Sequence, residues 1–453
     1  MFLKIKIKTV FVILFFPYLL VSANILYYGG NEVKFFAGAS SVDITPDVKA
    51  KTIPLNGYGD RKKAPAIGVH DRLFAKALFI ESVDTQTGTT ARAVIVAVDL
   101  CMVNQFMRDR VLKKLHHLGI NDSNFFFSAT HTHSGPAGLD PRFPFEIIMG
   151  KYDAALFDFI VEKTADAVTK AHENLAPAEI AIAQKEVPEL VRNRRIQGYD
   201  YRTRRFSKSE EQNEVDALMS VIKVTSQNEE PIASLVVYGV HPTILGPDNL
   251  LISADWPGIL QKEIEKKMGQ GVAMFVNGVE GDQAPLSIDE IDDFKWMEWY
   301  GKAMADEAWY LYKKSQSVKA PFITSATHRE KLPRFRPPGL KWLPLPKVIT
   351  QSIVNEALCM VLKIGSITLV GLPGEPLHRV GIELREKIRV DEAISPIIVG
   401  LANDWIGYIA DPQSYKEGGY ESAMTFFGRK ETNVIILSAT YAYEKAVMTN
   451  NQQ

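Results

Sequence analysis

Residues 125–138 read FFFSATHTHSGPAG. An apolar run stops abruptly at His131 and His133, which are followed by Ser, Gly and Pro. In an extended segment residues i and i+2 share a face, so both imidazoles would point the same way. Two readings compete: a turn with solvated histidines, or a metal site at the end of a buried strand. Other apolar runs end in the same manner. Ala93–Val98 runs into Asp99, and Ala233–Val240 into His241. Val272–Val276 is followed by NGVEGDQAP, which contains Asp282. Ile367–Leu372 is followed by Glu375 in PGE, and Pro396–Leu401 by a polar segment holding Tyr408 and Tyr420. Imidazoles with a carboxylate form a zinc set that leaves one position open to water. Water held there loses its proton near neutral pH and attacks a carbonyl or phosphoryl centre. His116 and His117 close a helix, where the macrodipole favours them. His172 and His378 fall within helices and His328 in a basic stretch, so none of the three is given a role.

These residues need a frame that brings strand ends together. Apolar runs alternate with helical periodicity at 104–117, 257–267 and 377–388. Strand–helix–strand units favour parallel pairing and an α/β class: a mixed, largely parallel central sheet, or sheets, flanked by helices. In such sheets sites form beyond the carboxyl ends of the strands. The stretches EIAIA (179–183) and SVIKV (220–224) read as added antiparallel strands. The Pro-rich stretch 332–347, with Trp342, reads as a long surface loop that could touch a membrane or cover a substrate channel. The basic stretch 191–205 reads as a solvated loop, or as a site for an anionic substrate.

The chain has 453 residues, and its 46% hydrophobic and 23% charged content is that of a folded globule. A net charge of −1 makes no case for nucleic acid. Lys4, Lys6 and Lys8 precede an apolar run that ends in Val21-Ser22-Ala23, the layout of a secretory signal peptide over residues 1–23. A secreted or periplasmic protein is expected, membrane-anchored if that segment stays uncleaved. Cys101 and Cys359 are either two buried thiols or a disulfide, and they form no metal motif.

Several ordered motifs resemble the neutral/alkaline ceramidase family. They are GASSVDITP (38–46), NGYG (56–59), GVHDRLFAKALFI (68–80), THTHSGP (130–136), VHPT (240–243), PGEP (373–376) and the Tyr408–Tyr420 segment. The likeness runs from Gly38 to Arg429. It implies a zinc hydrolase domain over about 35–430 that cleaves the amide bond of ceramide, a lipid substrate. It also implies His131, His241, Glu375 and Tyr408 as zinc ligands, and His133 as a proton-handling group. Tyr420 would be a second active-site tyrosine, twelve residues after the first, and Arg194 would lie near the scissile group.

Two departures bear on the substrate. The family's GDxSP serine is replaced by Ala284 in GDQAP, and the family's C-terminal sandwich domain is expected to be missing. Both weaken ceramide as the substrate more than they weaken zinc. The leading expectation is a secreted zinc amidohydrolase acting on an N-acylated, lipid-like compound. A zinc esterase or phosphoesterase, and a metal-containing binding protein without turnover, are the alternatives.

Overall fold

The computed structural model describes residues 33–451 apart from 62–63, 143–144, 196–198, 207–213, 289–290, 339–342, 347–354 and 389–392. The N-terminal apolar segment and Trp342 therefore lie outside the described residues.

Two stacked sheets are enclosed by helices. The larger comprises β1 (Val33–Asp43), β2 (Phe74–Asp84), β3 (Thr90–Val98), β4 (Phe125–Ala129), β5 (Ala176–Glu186), β6 (Leu218–Ser226), β7 (Pro231–Tyr238) and β8 (Val272–Asn277). Their order is β8-β7-β6-β5-β1-β2-β3-β4, with the short strand Gln316–Ser317 added beside β5. The smaller sheet runs β9 (Ile323–Lys331), β10 (Glu356–Ile364), β11 (Ile367–Gly371) and β12 (Ile397–Val399). The architecture is mixed and flanked by helices, as expected. The balance of pairing differs from expectation. Only β7/β8, β3/β4 and β11/β12 are parallel among these strands. The other pairs are antiparallel because short connections join several of them, such as residues 85–89 between β2 and β3, and a hairpin imposes that direction. The helix-linked strands stood out in the sequence, and they are the parallel ones at the sheet margins.

The inner face of the large sheet packs on the small sheet through residues such as Leu78, Ile95, Phe126, Leu235, Leu362 and Leu369. Its outer face is covered in two halves. Helices α1 (Gln105–Leu115) and α2 (Ala154–Glu173) cover one half, and α3 (Asp255–Met268) and α4 (Asp293–Lys314) cover the other. The phenylalanine run shows why β4 lacks polar alternation. Phe125 and Phe127 enter the helix-facing core and Phe126 the core between the sheets. Helices α5 (His378–Ile388) and α6 (Glu431–Asn451) complete the layers. Asn104 caps α1 by accepting from Met107 N, and the following turn closes at Gly119 with φ 75°.

The described part of the 332–347 stretch, outside 339–342 and 347, contains no helix or strand after Lys331. Cys101 and Cys359 are both free and buried. Among the described residues no helix is long and apolar enough to cross a membrane.

Candidate metal centre

Three strand ends converge on one point. Asn277, the last residue of β8, donates its side-chain amide to Val240 O after β7 at 3.0 Å and to Thr130 O after β4 at 3.4 Å. That amide links the segments carrying His241 and His131. His131 itself lies in the left-handed region, with φ 73°. A side chain other than glycine holds that conformation only when its surroundings over-determine it, and such residues gather at functional sites. Here the His131 N–H donates to Leu100 O, and its Nδ1 lies 2.5 Å from Cys101 O. His241 is held in the same way, with its N–H on Gln283 O and Nδ1 2.7 Å from Glu280 O. A carbonyl only accepts, so each Nδ1 carries the proton and each Nε2 keeps a free lone pair. This is how proteins orient metal-ligating histidines.

Glu375 and Tyr408 face each other in a short parallel pair, Glu375–Pro376 with Tyr408–Ile409. The pairing sets the two side chains together. Glu375 Oε2 lies 3.4 Å from His131 Nε2 and 3.2 Å from His241 Nε2, and has no hydrogen-bond partner although buried. Tyr408 Oη is 3.1 Å from His241 Nε2. The structure thus gathers all four residues named from the sequence as ligands. The ligand atoms of His131, His241 and Glu375 lie within 4.8 Å of one another, as ligands around a single ion do. Two oriented imidazoles, one carboxylate oxygen without a partner and a phenol fit a divalent cation, and zinc in particular.

The electrostatics agree. Burial would raise the Glu375 carboxyl, but His131 and His241 outweigh it and hold the group well below its ordinary value. Burial would lower His131, but Glu375 outweighs it and raises the imidazole well above its usual range. Burial and then Arg194 push His241 down to about 3. The mutual attraction of His131 and Glu375 marks a point between them that favours a cation. Burial holds the Tyr408 phenol well above its normal value, with Arg194 pulling the other way.

His133 occupies a different position. Its Nε2 is 3.4 Å from His131 Nε2, facing the same point, but its Nδ1 has no hydrogen-bond partner. Its tautomer is therefore not locked. The ring lies against Tyr58 edge-on, 4.8 Å between centroids, and over the backbone of Gly57. Gly57 has φ 94°, and a Cβ there would sit 2.4 Å from His133 Cγ. Gly57→Ala should therefore displace the His133 ring. Turnover should fall by roughly 10²-fold, the scale of a misplaced group, with metal content unchanged. Parallel metal analysis and steady-state rates check this, and an unchanged rate would show that the position of His133 is unimportant.

Arg194 donates from Nη2 to Tyr408 Oη at 2.9 Å and from Nε to Glu421 at 2.9 Å. Arg195 shares Glu421, and Arg204 and Arg205 pair with Asp293. These four cations thus each have a carboxylate partner within the protein, shared two to one, and Arg194 and Arg195 are largely buried. Tyr420 stands at the mouth of the site, about half exposed, with its ring 5.6 Å from Tyr408. A cavity of about 500 Å³ opens beside these residues, with Leu55, Met102, Ala137, Met149, Trp405 and Met424 as its apolar wall.

Other strand-end residues do not join the centre. Asp99 accepts from Phe74 N and Gln261 and holds a strand end. Asp282 accepts from both the N–H and Nδ1 of His378, behind the Glu375 strand. Ala284 is fully buried in the strand Gln283–Pro285, opposite Arg192. Sequence reasoning passed over Trp405 and Glu421, which hold Glu375 and Arg194. Both lie inside the polar segment that carries the tyrosines, but no spacing marked them. It also set Cys101 outside any metal motif, whereas the thiol lies 3.8 Å from His131 Nδ1 and groups with His131 and His133.

A family model described as neutral/alkaline non-lysosomal ceramidase, N-terminal, matches residues 35–291 and 287–437. The neutral ceramidase of Mycobacterium tuberculosis is 24% identical over 479 residues, covering 87% of this chain and 74% of that protein. Neutral ceramidase B of Dictyostelium discoideum is 31% identical over 268 residues, covering 56% of this chain and 36% of that protein. The crystal structure of neutral ceramidase from Pseudomonas aeruginosa superposes with a TM-score of 0.78 at 20% identity, covering 91% of this chain and 75% of that one. A ceramidase complexed with C2 gives a TM-score of 0.77 at 19% identity, covering 93% and 76%.

Proposed function

Because the chain belongs to the neutral/alkaline non-lysosomal ceramidase family, we propose that it is a zinc-dependent amidohydrolase acting on an N-acylated, lipid-like substrate. The observation that carries this reading is the convergence of His131 Nε2, His241 Nε2, Glu375 Oε2 and Tyr408 Oη beside an apolar-walled cavity. Zinc bound there supplies a Lewis acid and makes water nucleophilic near neutral pH.

The chain's own residues supply the rest. His131, His241, Glu375 and Tyr408 hold the ion. His133, whose Nε2 faces the same point as His131 Nε2, takes the proton of the attacking water and returns it to the leaving nitrogen. Tyr420, at the cavity mouth, donates to the developing oxyanion. Arg194 fixes the Tyr408 oxygen and is itself fixed by Glu421. The Leu55, Met102, Met149 and Met424 side chains receive an acyl chain and exclude water. We assign the hydrolase domain to residues 35–430, with secretion directed by residues 1–23.

Ala284 bears on the substrate. It follows Gln283, whose carbonyl anchors the His241 N–H at 3.0 Å. The resemblance places a serine there, and its hydroxyl is missing. A lost donor at a reacting centre costs about 10²- to 10³-fold in rate. Ceramide hydrolysis should be weak, with faster release of fatty acid from another N-acyl compound. Ala284→Ser should raise ceramide turnover. The test is metal analysis of the purified protein, with about one zinc per chain expected, alongside a turnover screen over ceramide, shorter N-acyl compounds and phosphate esters. Activity should vanish on chelation and return with zinc. A chain that binds zinc but turns over none of these is a binding protein. Brisk ceramide hydrolysis by the unmodified chain would show that the hydroxyl is dispensable.

A further inference from the structure

We propose that Trp405 is a positioning residue for the metal centre, its indole N–H committing Glu375 to bind through one oxygen. The inference rests on the metal reading above. Trp405 Nε1 donates to Glu375 Oε1 at 2.9 Å. Oε2 is left without a hydrogen-bond partner, turned toward His131 Nε2 and His241 Nε2. A glutamate's terminal torsion is broad and its two oxygens are equivalent. Nothing in the residue itself decides which oxygen meets a cation, or whether both do. An indole N–H is a donor only, so the oxygen it engages is removed from competition.

The donor is fixed from several sides. The Trp405 ring packs edge-on against Phe145 and Phe426, with centroids 5.3 and 5.9 Å away. Its backbone N–H donates to Asp404 Oδ1, which also accepts from Gln105 N and pairs with Arg142. One residue earlier, Asn403 N donates to Phe127 O at 2.6 Å, and its side-chain oxygen accepts from Phe127 N and Arg108 Nε. Leu401 and Asn403 both have positive φ, 52° and 68°, a strained course that these contacts hold in place. The bend is thus clamped to β4, the strand that leads to His131. It serves two ligands at once: it runs into Tyr408, and through Trp405 it orients Glu375. Trp405 also lines the cavity.

The test measures zinc affinity of the purified chain by competition with a chelator at fixed pH. Trp405→Phe keeps an aromatic ring and removes the donor. A second variant carries β-(3-benzothienyl)alanine at 405, an isostere of tryptophan with sulfur in place of the N–H. Both should bind zinc about 10- to 100-fold more weakly than the wild type, the cost of losing an outer partner of a ligand. The visible spectrum of the cobalt-substituted isostere variant should also change, because Oε1 becomes free to bind. Wild-type affinity within about twofold in the isostere variant, with an unchanged cobalt spectrum, overturns the proposal even if the phenylalanine variant is weakened by lost packing. A wild-type chain that binds neither zinc nor cobalt overturns the metal reading and this inference with it.

Discussion

Glu375→Ala should abolish metal binding and, with it, turnover. The carboxylate contributes the one anionic oxygen that lies between the two oriented imidazoles, and that oxygen has no other partner. Its removal leaves two neutral nitrogens and a phenol whose proton burial holds tightly. It also strands the Trp405 N–H in a buried site, where an unmade hydrogen bond costs about 1–3 kcal/mol. The loss in affinity should exceed the roughly 10- to 100-fold expected for an outer partner such as Trp405. Metal analysis after dialysis, with hydrolysis measured on the same sample, reads both effects. If the variant keeps stoichiometric zinc, Glu375 is not a ligand.

The second large effect is expected at His133, and its signature is the reverse. His133→Ala should keep its metal and lose roughly 10²- to 10⁴-fold in rate, the range for a general acid–base group. The distinction rests on Nδ1. In His131 and His241 that atom is committed to a backbone carbonyl, whereas in His133 it has no partner. A metal-ligating histidine has its other ring nitrogen held in this way, and His133 does not. The 3.4 Å between His133 Nε2 and His131 Nε2 is nonetheless short enough for both to bind one ion. Metal loss in step with His131→Ala would therefore make His133 a ligand and leave the proton-transfer role vacant.

These two variants, read with Gly57→Ala, separate holding the ion from moving the proton. Glu375→Ala removes the first, His133→Ala removes the second, and Gly57→Ala disturbs the second by crowding the His133 ring and straining the backbone beneath it.

Much of the local structure was legible in the sequence. Apolar runs such as AVIVAV and FFFSA form buried strands because residues facing both ways meet apolar layers. Helical periodicity placed α1 close to its observed bounds. His131, His133, His241, Glu375 and Tyr408 could be picked out as candidates alongside Asp99, Asp282 and Tyr420, because each follows a strand or lies in a short motif. Side-chain type and position along the chain went that far, and the family resemblance then singled out the four ligands and His133. What only the tertiary structure decided is non-local. The dominance of antiparallel pairing came from hairpins whose partners no periodicity identifies. The separation of Asp99 and Asp282 from the proposed metal ligands came from where each strand end lies in the sheet. The two-sided commitment of Glu375 needs Trp405, thirty residues away, to be folded against Phe145 and Phe426. A sequence names the groups able to bind a cation. Which of their atoms remain without a partner, and so available to one, depends on every hydrogen bond formed around them when the strand ends meet.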